Sequence, residues 1–382
     1  MKTAFHKTVL QLALLSTALA FGTTGAQAED IKLGFAAPMT GAQAQYGKDM
    51  QHGIVLAIEE FNATHPKIGG KEVKFVLLSE DDQADPKTGS VVAQKLVDKG
   101  IQGMLGHFNS GTSIPASTVY SRAGIPQIAM ATAPEYTRQG FKNTFRMMTS
   151  DTQQGSVIGA FAVKKLGAKT IAIVDDRTAY GQGLADEFEK AAKAAGGKIV
   201  RREFTNDKAV DFKAVLTNIK RSNPDIIFFG GAEAQSAPMA KQMKELGLKA
   251  PLVSGEMSKT DNFIKLAGPA ANGTVVSLAG LPLDQMPGGP GYKQRYEKRF
   301  GSKVETYSPY AYDGAMAMMK AMVKANSAEP AKYLPVLAKT SMIGVTTRNL
   351  AYDARGDLKD GGITVYKVVD GQWTVLESVG GK

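Results

Sequence analysis

Hydroxyl side chains follow two apolar segments in the first third of the chain. The segment IQGMLGHFNSGTS reaches a predicted helix start at Ser110 to Ser113, and the segment PQIAMATAP ends near Thr132. If these segments are neighbouring strands of an open parallel sheet, their carboxyl ends and the adjacent helix N-termini form a crevice for a small ligand. The pattern therefore predicts a site for a small polar molecule.

The elements that must position these residues occur twice. Short β-branched runs alternate with amphipathic helical runs, which predicts βαβ units on a parallel sheet. The strand IKLGFAAP leads through a loop ending at Tyr46 to a helix, and the strand TIAIVDD leads through a loop ending at Tyr180 to another. We therefore predict an α/β protein with two doubly wound parallel-sheet domains, in which Thr132 and Glu256 lie at equivalent strand ends.

The chain after Gly273 is expected to cross between the two domains. A strand, TVVSLAG, is followed by the turn-rich stretch LPLDQMPGGPGY, which we interpret as a connection back to the first domain. Helices are expected at roughly 290–300, 308–326 and 330–339. The last two strands should lie on the second domain, which gives three crossings and a hinge. The expected boundaries are 29–149 plus 282–352 for the N-terminal lobe and 150–281 plus 353–382 for the C-terminal lobe.

The N-terminus has the layout of a cleaved signal peptide. Lys2 and Lys7 precede the apolar run VLQLALLSTALAFG, and small residues up to Ala28 come before Glu29. This order directs secretion, so we expect residues 1–28 to be removed. The sequence contains no cysteine. Neither disulfide bonds nor a lipid-modified N-terminal cysteine is therefore expected.

The charge pattern indicates no nucleic-acid partner. The formal net charge is +10, and removal of Lys2 and Lys7 with the leader leaves +8. The basic residues are interspersed with Asp and Glu and form no run longer than pairs such as Lys164-Lys165. A nucleic-acid binding protein concentrates such residues on one face or tail. No second long apolar segment follows the leader, so we expect the mature protein not to cross a membrane.

The sequence offers little for catalysis. The mature chain has only His52, His65 and His107, no cysteine, no HExxH motif and no GxSxG nucleophile elbow. His107 lies three residues before Ser110, but no acid is placed by the sequence to orient it as in a catalytic triad. We therefore expect a binding protein with no catalytic residue, no metal and no cofactor, and a secreted hydrolase is the remote alternative.

Segments along the whole mature chain resemble the branched-chain amino-acid binding proteins that serve ABC transporters in the bacterial periplasm. These segments are EDIKLGFAAPMTGAQAQYG, EDDQADP, GHFNSGTSIPAS, ATAPEYT, AIVDDRTAYGQGLA, FFGG, SGE and YDARGDLK. The resemblance implies the type I periplasmic binding protein fold, whose two lobes close over a free amino acid and then dock on a membrane permease. Receptor domains share this fold. Because no signalling module follows, we expect a free, monomeric periplasmic protein.

The resemblance also implies which residues contact the ligand. Ser110, with the peptide N–H groups beside it, and Thr132 would hold the α-carboxylate, although Ser110 in isolation also fits a plain helix N-cap. Glu256 would pair with the α-ammonium group, and the Tyr180 phenol would reach the same group. Tyr46 would supply an aromatic wall.

The side-chain end of the ligand pocket departs from the family pattern at two positions. Ala232 stands where relatives commonly have an aromatic residue, and Asn109 stands where some have a cysteine, so a wider and more polar pocket is expected. Met130 and Tyr307 are expected to line this end, together with Phe108. Leucine, isoleucine or valine is the leading ligand class. A larger apolar or aromatic amino acid, a short amide or a carboxylate remains the alternative.

Overall fold

The computed structural model of the chain describes residues 29–359 and 361–381. The expected signal peptide, residues 1–28, lies outside the described residues. None of the helices that these residues form is long and apolar enough to span a membrane. The same residues contain no group of three or more His, Cys, Asp or Glu side chains that could hold a metal ion.

The first half of the chain alternates strands and helices from the start of the described residues. Its elements are β1 (Glu29–Ala37), α1 (Ala44–Asn62), β2 (Lys67–Ile68), β3 (Lys71–Asp81), α2 (Pro86–Asp98), β4 (Gly103–Gly106), α3 (Ser110–Arg122), β5 (Gln127–Ala129) and β6 (Thr144–Arg146). These strands form a six-stranded sheet in the order β2-β3-β1-β4-β5-β6. We call this the first sheet and the unit built on it the first domain.

The second half repeats the alternation. Its elements are α4 (Asp151–Lys164), β7 (Thr170–Asp175), α5 (Ala179–Ala194), β8 (Lys198–Phe204), α6 (Lys213–Lys220), β9 (Ile226–Gly230), α7 (Glu233–Glu245), β10 (Leu252–Ser254), α8 (Asp261–Ala267) and β11 (Val275–Ala279). The remaining elements are α9 (Gly289–Phe300), α10 (Ser308–Lys324), α11 (Pro330–Leu337), β12 (Ser341–Met342), β13 (Leu350–Ala351), β14 (Ile363–Val369) and β15 (Gln372–Val379). The second sheet has the order β15-β14-β11-β10-β9-β7-β8 and defines the second domain.

The internal repeat is visible in the strand order. The run β3-β1-β4-β5-β6 of the first sheet corresponds strand by strand to β8-β7-β9-β10-β11 of the second, and all neighbours within both runs are parallel. This confirms two doubly wound α/β domains. The second sheet is extended by β14 and β15, which pair antiparallel. The short Asp370-Gly371 connection between them allows only an antiparallel hairpin.

Three connections join the two domains. The chain passes from β6 to α4, from β11 to α9, and from β13 to β14. Helices α9 and α10 pack against α1 of the first domain, whereas α4 packs against α5 of the second. The three late helices and the last two strands therefore lie where the sequence places them. The lobe boundaries at 149/150, 281/282 and 352/353 remain a prediction.

Burial explains why the central strands have no alternating pattern. Every residue of β4 and of β9 is buried. Central parallel strands are covered by helices on both faces, so they read as continuous apolar or small-residue runs. The polar residues that follow these strands are therefore at the first positions where the chain leaves the sheet, and both sheets direct such positions toward the region between the domains.

Candidate ligand-binding cleft

The first domain contributes a neutral hydroxyl rim. Ser110 is the first residue of α3 and is buried, and its Oγ accepts a hydrogen bond from the Ala133 N–H at 3.1 Å. Its hydroxyl therefore joins two loops instead of capping α3, whose N-cap residue is Asn109. Thr132 is also buried, three residues beyond the end of β5. An accepting hydroxyl keeps its own hydrogen for donation, so Ser110 remains able to donate to an anion.

The second domain contributes a buried carboxylate. Glu256 lies two residues beyond the end of β10, and its Oε2 accepts hydrogen bonds from the Tyr180 hydroxyl at 3.0 Å and from Gln154 Nε2. Tyr180 is fixed in the first turn of α5, because the Thr178 hydroxyl caps that helix by accepting from the Gly181 N–H at 2.9 Å. Burial raises the pKa of Glu256 above its ordinary value. The structure therefore brings Tyr180 and Glu256 into direct contact, whereas from the sequence each of them was expected only to reach the ammonium group of a ligand.

A second carboxylate, Asp151, lies beside this group and was not foreseen from the sequence. Asp151 is the first residue of α4 and is fully buried, and its N–H donates to the Thr132 carbonyl oxygen at 2.8 Å. By hydrogen-bond geometry neither of its carboxylate oxygens has a partner among the described residues, although the Thr132 side chain lies close enough to favour the ionised form. Burial, followed by the charge on Glu256, raises the pKa of Asp151 well above its usual range.

A sequence signal for this group exists in the segment DTQQG. Asp151 and Gln154 are three positions apart at a helix start, a spacing that puts both side chains on one face. The backbone N–H of Asp151 donates to the Thr132 carbonyl oxygen of the first domain, and the Gln154 side chain donates to the Glu256 carboxylate of the second. The first turn of α4 therefore bridges the hydroxyl rim and the carboxylate.

The two carboxylates lack a cationic partner. Among residues 29–359 and 361–381, no Lys, Arg or His forms an ion pair with Asp151 or Glu256. The charge of Arg146 lowers the pKa of Asp151, but its guanidinium makes its hydrogen bonds to other groups. It donates to Asp357 at 2.5 Å and to the carbonyl oxygen of Ala133 at 2.7 Å. Buried carboxylates without a counter-ion are costly, so this site is suited to bind a cationic group.

Three aromatic rings form a wall on the first-domain side. Tyr46 stacks on Phe108 with ring centroids 5.3 Å apart, and Tyr307 meets both rings edge-on, at 5.5 Å from Tyr46 and 4.8 Å from Phe108. The Tyr46 hydroxyl donates to the Met257 carbonyl oxygen of the second domain at 3.3 Å. The Tyr307 hydroxyl is buried without a partner among the described residues. The wall therefore combines apolar faces with one unused hydroxyl group.

The other predicted lining residues are buried or half-buried. Met130 and Ala232 belong to the same continuous apolar cluster as the three rings, and Ala232 is the N-cap residue of α7. Asn109 is half-buried, and its Nδ2 donates to Gln43 Oε1 at 2.7 Å. Its Oδ1 is buried and unpartnered among the described residues.

His107 is held by an acid, contrary to the expectation that none is positioned to orient it. Its Nδ1 lies 2.6 Å from Asp82 Oδ2, and its Nε2 lies 3.1 Å from the Tyr120 hydroxyl. Strands β3 and β4 flank β1 on opposite sides, so their carboxyl ends bring Asp82 and His107 together. Both ring nitrogens are engaged away from Ser110, which leaves no Ser-His pair.

A crevice of about 270 Å³ opens beside Tyr46 at the mouth of the cleft. Residues of both domains line it: Gln45, Tyr46, Thr260, Asp261, Asn262, Lys265, Glu305 and Thr306. Gln45 Nε2 also donates across the cleft to Glu233 Oε1 at 2.5 Å. The two domains therefore touch beside this crevice, and of the aromatic wall only Tyr46 lines it.

Comparisons with known proteins show which family the chain resembles. A family model described as periplasmic binding protein matches residues 30–372. The chain is 33% identical over 376 residues to Leu/Ile/Val-binding protein homolog 1 of Brucella melitensis biotype 1, covering 97% of this chain and 100% of that protein. It is 31% identical over 348 residues to the leucine-, isoleucine-, valine-, threonine-, and alanine-binding protein of Pseudomonas aeruginosa, covering 91% and 92% of the two chains.

Structural similarity supports the same relationship. The crystal structure of the leucine-binding protein LivK from Thermotoga maritima superimposes with a TM-score of 0.83 and 25% sequence identity, covering 91% of this chain and 98% of that one. These relatives are substrate-binding proteins and not enzymes. The chain therefore belongs to the branched-chain amino-acid family of periplasmic binding proteins that serve ABC transporters.

Proposed function

We propose that this protein captures a free amino acid in the periplasm, with leucine, isoleucine or valine as the preferred ligand, and delivers it to the permease of an ABC transporter. One observation carries the proposal: the first turn of α4 joins the uncompensated carboxylate of Glu256, which accepts from Gln154, to the hydroxyl rim, whose Thr132 accepts from the Asp151 N–H. A ligand that fits both sides needs an ammonium group and a carboxylate close together, which is the common part of every α-amino acid.

The backbone end of the amino acid is held by groups from both domains. Ser110, Thr132 and the N–H groups at the start of α3 hold the α-carboxylate, since hydroxyl donors and the helix dipole both favour an anion. Glu256 and Tyr180 hold the α-ammonium group. The ion pair with Glu256 strengthens when the domains exclude water, because the local dielectric constant falls.

The side chain of the ligand packs on the aromatic wall. Tyr46, Phe108 and Tyr307 present apolar faces, and Met130 adapts its shape to ligands of different branching. The Brucella and Pseudomonas relatives are named for binding leucine, isoleucine and valine. An apolar, branched side chain is therefore the preferred occupant.

Closure follows from the division of contacts between the domains. The three inter-domain connections serve as a hinge, and the ligand favours the closed arrangement because only that arrangement brings Glu256 and Ser110 to one molecule. The closed protein then docks on the permease as a monomer. Export through cleavage of residues 1–28 places it in the periplasm, and N-terminal sequencing of the periplasmic protein should start at Glu29.

A second candidate is a larger or more polar ligand, such as an aromatic amino acid or a short amide. It is favoured by the unpartnered oxygens of Asn109 and Tyr307 and by the small side chain of Ala232, which the family resemblance assigns to the side-chain end of the pocket. If phenylalanine binds more tightly than leucine, Ala232→Tyr should reverse that preference, because its ring would fill the extra space. Isothermal titration calorimetry of both ligands on both proteins measures the change. An unaltered preference would contradict the assignment.

The main experiment is a thermal-shift screen of the twenty amino acids, the branched-chain keto acids and short amides. A ligand at about one hundred times its dissociation constant adds about 2.7 kcal/mol of stability. Leucine should stabilise the protein, whereas its keto acid, which lacks the ammonium group, should not. A shift with the keto acid equal to that with leucine would contradict the role of Glu256, and no shift with any amino acid would contradict the proposed function.

A further inference from the structure

The carboxylate of Glu233 joins the two domains at the mouth of the cleft. Glu233 is the first residue of α7 in the second domain, and only 3% of its surface is exposed. Its Oε1 accepts from Gln45 Nε2 of the first domain at 2.5 Å and from Asn262 Nδ2 at 2.9 Å, and its Oε2 accepts from the Thr260 hydroxyl. One buried carboxylate is thus shared between a donor of the first domain and two donors of the second.

The donors of the second domain hold this carboxylate in place without Gln45. Thr260 is the N-cap residue of α8, and its hydroxyl accepts from the Phe263 N–H at 2.9 Å while it donates to Glu233. The Thr260 carbonyl oxygen accepts from the Trp373 indole N–H of β15 at 3.0 Å. The first turn of α7 also suits an acid because of the helix dipole. The bond from Gln45 is therefore the part of this arrangement that depends on the position of the first domain.

Both ends of the contact adjoin residues expected to line the ligand pocket. Gln45 precedes Tyr46 of the aromatic wall, and Glu233 follows Ala232, which the family resemblance assigns to the side-chain end of the pocket. Tyr46 itself crosses between the domains through its hydrogen bond to the Met257 carbonyl oxygen at 3.3 Å. A bond between Gln45 and Glu233 therefore fixes the starts of α1 and α7, and with them two walls of the expected pocket, at one separation.

We propose that Glu233 is a positioning residue that holds the two domains closed over the ligand by accepting a hydrogen bond from Gln45. Resting on the proposed function, this names a pair of residues outside the expected ligand contacts that sets how long an amino acid stays bound. We call Gln45 and Glu233 the latch pair. A hydrogen bond to an ionised acceptor is stronger than one between neutral groups, and the low dielectric around a buried acceptor strengthens it further.

The latch pair should act on the dissociation rate and not on ligand choice. The bond forms after the ligand has entered, so its loss should speed dissociation and leave the association rate unaltered. Because neither side chain is expected to contact the ligand, leucine, isoleucine and valine should all lose affinity by the same factor. For Gln45→Ala this factor is about three- to tenfold, below the range for a fully buried bond to a charged group, since Gln45 is itself exposed.

Exchange of the two side chains separates the latch from a role of Glu233 within its own domain. Gln45→Glu alone opposes two carboxylates and should raise the dissociation rate of leucine more than Gln45→Ala does. Adding Glu233→Gln again sets an amide against a carboxylate, in the reverse direction, and should lower that rate toward the value of the wild type. If Glu233 served only to hold α7 and α8 together, Glu233→Gln would be equally harmful in both backgrounds, which would overturn the proposal.

A chase of bound labelled leucine with unlabelled leucine measures each dissociation rate. Gln51→Ala is the matched control, because Gln51 lies on the same helix and donates to the Ser79 hydroxyl of its own domain at 2.9 Å. It should dissociate leucine as the wild type does. Circular dichroism checks that every variant is folded. A dissociation rate for Gln45→Ala equal to that of the wild type also overturns the latch.

Cross-linking tests the contact without any ligand. The chain has no cysteine, so Gln45→Cys and Glu233→Cys together place two unique thiols. A bismaleimide with a short ethylene spacer should join them within one chain, and mass spectrometry of the digested protein detects the product. Gln51→Cys with Glu233→Cys should give none. Absence of the first cross-link overturns the latch, whereas a cross-link in a protein that binds no amino acid contradicts the proposed function and retains the inter-domain contact.

Discussion

The two domains repeat one topology but present opposite chemistry at the cleft. After the corresponding strands β5 and β10, the first domain places the neutral Thr132 and the second places Glu256. The start of α4 adds Asp151 to the acidic side. Because the backbone positions are equivalent and the side chains differ, the cleft has a built-in polarity, which orients a zwitterion in one direction only.

The repeated tyrosines show the same divergence. Tyr46 lies in the first turns of α1 and Tyr180 in the first turn of α5. Tyr46 stacks on Phe108 and uses its hydroxyl on a carbonyl oxygen of the other domain, whereas Tyr180 donates to Glu256. One position thus became part of the apolar wall and its equivalent became part of the polar end.

The acidic side should respond most strongly to substitution. Glu256→Gln should lower the affinity for leucine by about 2–5 kcal/mol, because it removes the charged partner of a buried ammonium group. Glu245→Gln, which changes an exposed carboxylate on α7, is the matched control and should leave affinity unaltered. Calorimetry measures both. If Glu256→Gln binds leucine as tightly as the wild type, the ammonium group is held by another residue.

The hydroxyl side should respond less. Ser110→Ala should cost about 1.5–3 kcal/mol of binding free energy, the range for a hydrogen bond to a charged group. Ser121→Ala, near the end of the same helix, is the control. It tests whether removing any hydroxyl group from α3 lowers the affinity for leucine. Dissociation constants for leucine compare the two variants. A loss at Ser110 as large as that at Glu256 would remove the asymmetry between the domains.

The buried acid on one side of the cleft should also affect the free energy of unfolding of the ligand-free protein. The native-state pKa of Asp151 is raised above its unfolded value, so the stability it provides is present below the unfolded pKa and lost as pH rises through the native one. Asp151→Asn should therefore stabilise the ligand-free protein by about 1–3 kcal/mol at pH 8, with the gain fading toward pH 4. Denaturant unfolding at the two pH values measures this. A gain that does not depend on pH would indicate a purely steric effect.

Substitution of the two tyrosines should change the affinity for leucine least. Tyr180→Phe should lower leucine affinity by about 0.5–1.5 kcal/mol, because one donor to Glu256 is lost. Tyr46→Phe keeps the stacked ring and should cost less, since its hydroxyl bond at 3.3 Å is long. Calorimetric titrations with leucine rank the pair. The reverse order would mean that the hydrogen bond from Tyr46 to the other domain contributes more to leucine binding than the hydrogen bond from Tyr180 to Glu256.

The sequence predicts the fold well because its signals are local. Strand and helix periodicity, read twice along the chain, gives the two sheets, and turn-rich segments mark the crossings. The same reading places Ser110, Thr132, Tyr180 and Glu256 at strand ends or helix starts, where the structure has them. It also gives the late helices that return to the first domain.

What the sequence by itself determined is therefore the architecture and the chemistry at each strand end. Only the tertiary structure shows that α4 inserts its first turn between the domains, which joins Gln154 to Glu256 across 102 positions and brings Asp151 beside them. It likewise pairs His107 with Asp82. Such contacts depend on how segments distant in the sequence pack together. The pKa of a carboxyl group rises above its ordinary value when packing removes water and counter-ions from it, and the sequence does not show where this happens.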